Sequence, residues 1–141
     1  MKKLLYNLQF LGSAAPKDGN PAVLAVVAKA SSGVGAGLNA ALGATSEATF
    51  ESTVTMGADG ATFDESGSIS FGRGNSVRFT TVDQGHVAPS PEPGVTAGAV
   101  IWKIDGGDGD FAGASGYITS NFWFDMEGRV TDNQLGAIFV P

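Results

Sequence analysis

The chain contains no cysteine, which excludes disulfides, thiolate nucleophiles and thiolate metal sites; nothing requires an oxidising compartment, so the cytoplasm is the expected location. Positive charge is scarce too: 8 Lys and Arg stand against 14 Asp and Glu, a net charge of −6. Proteins that bind nucleic acid concentrate positive charge on one face, and no basic patch occurs here, so nucleic acid is not an expected partner. Histidine occurs once, at His86, and a transition-metal site would need carboxylates for all its other ligands, which is uncommon for zinc. Apolar runs are short, none near the roughly 18 residues of a spanning helix, so a membrane-integral chain is not expected. No internal repeat of about 20–50 residues is evident.

What is present is apolar and rich in turns. With 141 residues, 43% of them hydrophobic, the chain fits one domain, 1–141, around one ordinary core. Glycine, at 21 residues, is about double its usual share of ~7%, which favours an all-β fold over long charged helices. Met1-Lys2-Lys3 with Leu4, Leu5, Leu8, Phe10 and Leu11 and then Ser13-Ala14-Ala15 has the outline of a signal peptide. Asn7 and Gln9 interrupt its apolar stretch, however, and 4–11 reads better as a first strand.

Further apolar stretches follow at intervals that suit a meander or barrel rather than βαβ units. The run 22–30 is ambiguous: Asn20, Pro21 and Gly33 would frame a helix, whereas Val23, Val26 and Val27 favour a strand, the preferred reading. Residues 31–46 are a Gly/Ala-rich, low-complexity segment expected to form a flexible loop or a short helix at 38–42. In 48–56, Ala48, Phe50, Ser52, Val54 and Met56 alternate with Thr49, Glu51, Thr53 and Thr55, a half-buried strand. Strands are also expected at 67–71, 76–83, 97–105, 116–125 and 129–140. Pro89, Pro91, Pro93 and Gly94 make 84–96 a stiff, non-helical loop. Eight such strands predict a single eight-stranded antiparallel β-barrel, with a β-sandwich or jelly roll as the alternative.

The run 104–118, Ile-Asp-Gly-Gly-Asp-Gly-Asp-Phe-Ala-Gly-Ala-Ser-Gly-Tyr-Ile, is the most distinctive stretch. Its aspartates alternate as calcium-loop ligands do, but Gly116 stands where an EF-hand needs Glu. No G-x-G-x-x-G opens a helix, so a dinucleotide reading fails as well. A Gly-dense turn, then Phe111, then a small-residue step into the next strand resembles the GGTGxFxxAxG signature of the allene oxide cyclase and dirigent barrels. The resemblance implies a barrel of allene oxide cyclase-like type whose contoured apolar lumen folds its substrate, and association into a dimer or trimer. No catalytic residue carries over from it.

If the lumen is open, Tyr6, Phe50, Phe79, Trp102, Asn121 and Trp123 are candidate substrate-binding residues for a small apolar molecule. Arg78 is the candidate anchor for a carboxylate or carbonyl, because a guanidinium inside a barrel needs an anionic partner. Tyr117 is the alternative for polarising an oxygen, and Asp83 or His86, adjacent in sequence, would move a proton. The expected function is a cyclase, isomerase or lyase working without metal or organic cofactor. A non-catalytic carrier of a hydrophobic ligand is the alternative, and a structural or assembly role is the third.

Overall fold

The computed structural model describes residues 1–31 and 47–141; the loop expected at 31–46 lies, from residue 32 onward, outside the described residues. The described residues form nine antiparallel strands: β1 (Lys2–Lys17), β2 (Asn20–Ser31), β3 (Glu47–Met56), β4 (Thr62–Ser70), β5 (Ser76–Thr81), β6 (Gly85–Pro89), β7 (Thr96–Asp108), β8 (Ser115–Phe124) and β9 (Arg129–Val140). The sheet order β3-β2-β1-β9-β8-β7-β5-β4, joined to itself by pairing of β3 with β4, closes an eight-stranded barrel. Closure leaves no exposed edge among these eight. The predicted all-β barrel is therefore the observed fold, and the sandwich alternative falls away.

One ambiguous run takes its preferred form, and one expected loop holds an additional strand. The ambiguous 22–30 run is strand, paired along its length with β1 and β3, because its valines pack on the pleated wall while the sheet satisfies its backbone. The proline-rich loop contains an extra strand, β6, outside the closed ring. It bonds to β4 at Thr62 and Phe63 and to β7 from His86 to Pro89, filling the wall where β5 stops at Thr81.

Alternation along each strand sets the interior. Leu4, Tyr6, Leu8 and Phe10 point inward from β1, Val77 and Phe79 from β5, and Val100, Trp102 and Ile104 from β7. The Gly-dense run is less a turn than a bulged strand end: β7 continues to Asp108, its register with β5 shifts around Arg78, and a single 3₁₀ turn, Gly109–Phe111, follows. Gly109 has φ +65°, and a Cβ there would lie 2.2 Å from Asn75 Oδ1, so this position admits only glycine. Asn75 Oδ1 accepts from the Asp110 amide at 2.8 Å. That turn delivers Phe111, 1% exposed, into one end of the barrel, where it meets Phe71 edge-on at 5.4 Å. No helix among the described residues is long and apolar enough to cross a membrane.

Candidate functional site

A cavity of about 70 Å³ occupies the lumen at the end where β1, β3 and β8 finish and β2, β4 and β9 begin. Its walls are apolar, with Val26, Phe50, Val54, Phe63 and Trp102 deep inside and Leu24, Met56, Val87 and Phe122 half-buried around the mouth. Against this background stand two acids. Glu65 on β4 shares the inward face with Phe63 and Ile69, and Asp132 on β9 shares it with Val130 and Ile138; they are 8% and 5% exposed.

Each carboxyl is held by neighbours. Ser52 Oγ donates to Glu65 Oε2 at 2.6 Å. Ser120 Oγ donates to Asp132 Oδ1, and Gln134 Nε2 donates to Asp132 Oδ2 at 2.8 Å. Gln134 is oriented in turn by Tyr6, whose hydroxyl donates to Gln134 Oε1 at 2.9 Å. The Tyr6 ring lies close against Gly136, where a Cβ would sit 2.1 Å from the ring. Three strands, β1, β8 and β9, thus converge on one polar chain, Tyr6–Gln134–Asp132–Ser120, inside an apolar barrel.

Burial governs the protonation of both acids. Desolvation pushes Glu65 up to about 8, Ser52 opposing and the Asp132 charge adding to the rise. Desolvation also raises Asp132, to about 6, with the bonds from Ser120 and Gln134 holding it lower than burial alone would. Tyr6 is held well above the usual phenol range, first by burial and then by Asp132. All eight Lys and Arg residues and His86 are exposed, so no protein cation neutralises the pair. Trp102 Nε1–H is also buried in this wall. It has no hydrogen-bond partner of ordinary geometry, yet lies near enough to favour the charged form of Glu65 slightly. An unmet buried donor costs roughly 1–3 kcal/mol.

Of the residues expected to bind substrate, Phe50 and Trp102 line the cavity. Tyr6 and Phe79 are buried but lie behind it: Phe79 stacks under Trp102 at 4.3 Å, and Tyr6 packs against Phe71. Asn121, Trp123 and Tyr117 occupy the outer face of β8, because the strand turns Ile118, Ser120 and Phe122 inward. Arg78 also points outward and pairs with Asp108 at 3.0 Å. Asp83 is an exposed turn residue with φ 57°, and His86 is exposed on β6. The four residues expected to do chemistry, Arg78, Asp83, His86 and Tyr117, are therefore not gathered in the lumen.

The acids that do reach it were left out by the sequence reading. Asp132 was within reach, since it falls on the same parity as Val130, Ile138 and Val140 in a strand already expected. Glu65 was hidden because the strand was expected to begin at 67, which broke its alternation with Phe63. Among the described residues no cluster of three or more His, Cys, Asp or Glu could hold a metal ion. No protein-family model matches the chain and no curated protein is similar to it.

Proposed function

We propose that this barrel is a cofactor-independent enzyme, a cyclase, isomerase or lyase, that moves protons on a small apolar molecule held in its lumen. One observation carries the reading: two buried carboxyl groups without a cationic partner line an otherwise apolar, aromatic cavity. Separate environments push their proton affinities apart, so near neutral pH Asp132 is largely the base and Glu65 largely the acid. Positioned proton transfer of this kind is worth about 10²–10⁴ in rate. The resemblance of the Gly-rich run to allene oxide cyclase and dirigent barrels points the same way and brings with it the dimer or trimer expected above; the cytoplasmic location rests instead on the absence of cysteine. The cavity is about 70 Å³, smaller than the ~150 Å³ that admits benzene, so a larger substrate extends into the mouth beside Met56 and Phe122.

The carrier reading keeps the same lumen and drops the chemistry. Mass-spectrometric profiling of a small-molecule extract incubated with the protein separates the two. An enzyme of this type produces a mass-neutral conversion or fragmentation that Asp132→Asn abolishes. A compound retained unchanged by wild type and Asp132→Asn alike supports the carrier, and an extract left unchanged with nothing retained overturns both.

A further inference from the structure

The unmet indole N–H narrows the substrate, on the reading of the lumen as an acid–base site. Trp102 is pinned by stacking on Phe79 at 4.3 Å and on Phe50 at 5.5 Å, so its ring cannot swing to find a partner. Indole only donates. The group beside it is the Glu65 carboxyl, whose Oε2 accepts from Ser52. An acceptor oxygen complements this corner; an ammonium group or a bare hydrocarbon leaves the indole N–H unpaired. Asp132 lines the same cavity, its oxygens anchored by Ser120 and Gln134.

We infer that the lumen takes a small unsaturated carbonyl compound, its oxygen docked between Trp102 Nε1 and the Glu65 carboxyl, with the carbon next to the carbonyl facing Asp132. The reaction that follows is a shift of a double bond into conjugation. Asp132 removes a proton from the carbon between the carbonyl and the alkene; the C–H pair becomes a new C=C bond, and the carbonyl π pair moves onto oxygen, which takes hydrogen bonds from Glu65 and Trp102. The proton held by Asp132 then returns to the far alkene carbon as the oxygen's electron pair re-forms the carbonyl. Nothing is consumed, and substrate and product are isomers.

The test uses the intact chain and a phenol, which carries the oxygen of the dienol intermediate. Binding of 4-fluorophenol, 4-fluorotoluene and 4-fluoroaniline is followed by fluorine NMR. The phenol is expected to bind at least about tenfold more tightly than the toluene, and Trp102→Phe, which keeps the stacking, is expected to erase most of that preference. If the variant does not fold, the Trp102 indole proton in wild type gives the same answer: it shifts downfield with 4-fluorophenol and stays put with 4-fluorotoluene. Conversion of cyclohex-3-enone to cyclohex-2-enone, lost in Asp132→Asn, supports the reaction. Equal binding of phenol and toluene, preference for the aniline, or an unmoved indole proton overturns this inference and leaves the lumen as a binding site. Failure of all three probes to bind overturns the lumen reading as well.

Discussion

Where β1 begins and β9 stops, the interior is solid: Tyr6, Phe71 and Phe111 interlock edge to face and Ile69, Val77 and Ile138 close around them. Where β1 ends and β9 begins, the same inward alternation presents Ala14, Val26, Val54, Glu65, Ser120 and Asp132, and a cavity remains. Strand β9 shows the contrast within one element, with Ile138 fully buried in the packed half and Asp132 in the hollow half. The inward alternation runs through both halves, so side-chain volume and polarity set which half closes and which leaves a cavity. The packed half also supports the hollow one, since Tyr6 reaches across the boundary to fix Gln134 and, through it, Asp132.

The comparison can be broken at its most sensitive point by Asp132→Asn, which keeps the shape and removes the base: turnover is expected to fall about 10²–10⁴-fold with little change in the circular dichroism spectrum. Next in size is Phe111→Ala, which empties the packed end and is expected to cost ~3–5 kcal/mol in chemical denaturation. The half-buried mouth residue Phe122, truncated in the same way, should cost clearly less and enlarge the cavity; equal losses would mean that the two ends are not distinct. Smaller still is a pH effect. Glu65 and Asp132 hold protons more tightly folded than unfolded, so their contribution to stability is complete below the usual carboxylate range and is lost as pH rises through about 6 and then about 8. Melting temperature should therefore decline across that interval, and Glu65→Gln should flatten the decline. The smallest effect belongs to the outer wall: Arg78→Ala removes an exposed pair with Asp108 and should shift stability by about 0.2–1 kcal/mol.

Much of the barrel was legible because its walls obey period-two alternation. Residues 48–56 and the inward placement of Val77, Phe79, Val100, Trp102 and Ile104 could be read from parity alone. Strand β8 could not, because both its faces carry aromatics; only its pairing with β7 and β9 turns Ser120 inward and Tyr117 outward. The site was less legible for a related reason. Catalytic expectation went to residues that are chemically conspicuous in sequence, Arg78, Asp83 and His86, whereas burial makes ordinary acids reactive, and burial of a carboxyl shows in a single sequence only when its strand boundaries are right. Phe111 was recognised as part of a signature, but its task, closing one end of the lumen, depends on a 3₁₀ turn whose direction no local pattern specifies.

The insertion of β6 has a mechanical consequence for this wall. Strands β1 and β9 share an unbroken ladder from Lys2 to Ser13, whereas β6, outside the ring, is held to β4 through Thr62 and Phe63, to Ala61 by the Val87 amide, and to β7 over its own short length. A patch secured by so few backbone bonds has the lowest cost of local opening, and it carries Val87, a residue of the cavity's rim. Amide protons of 85–88 should accordingly exchange sooner than those of β1 and β9. If the lumen holds a ligand as proposed, opening of this panel beside Val87 offers a second way in.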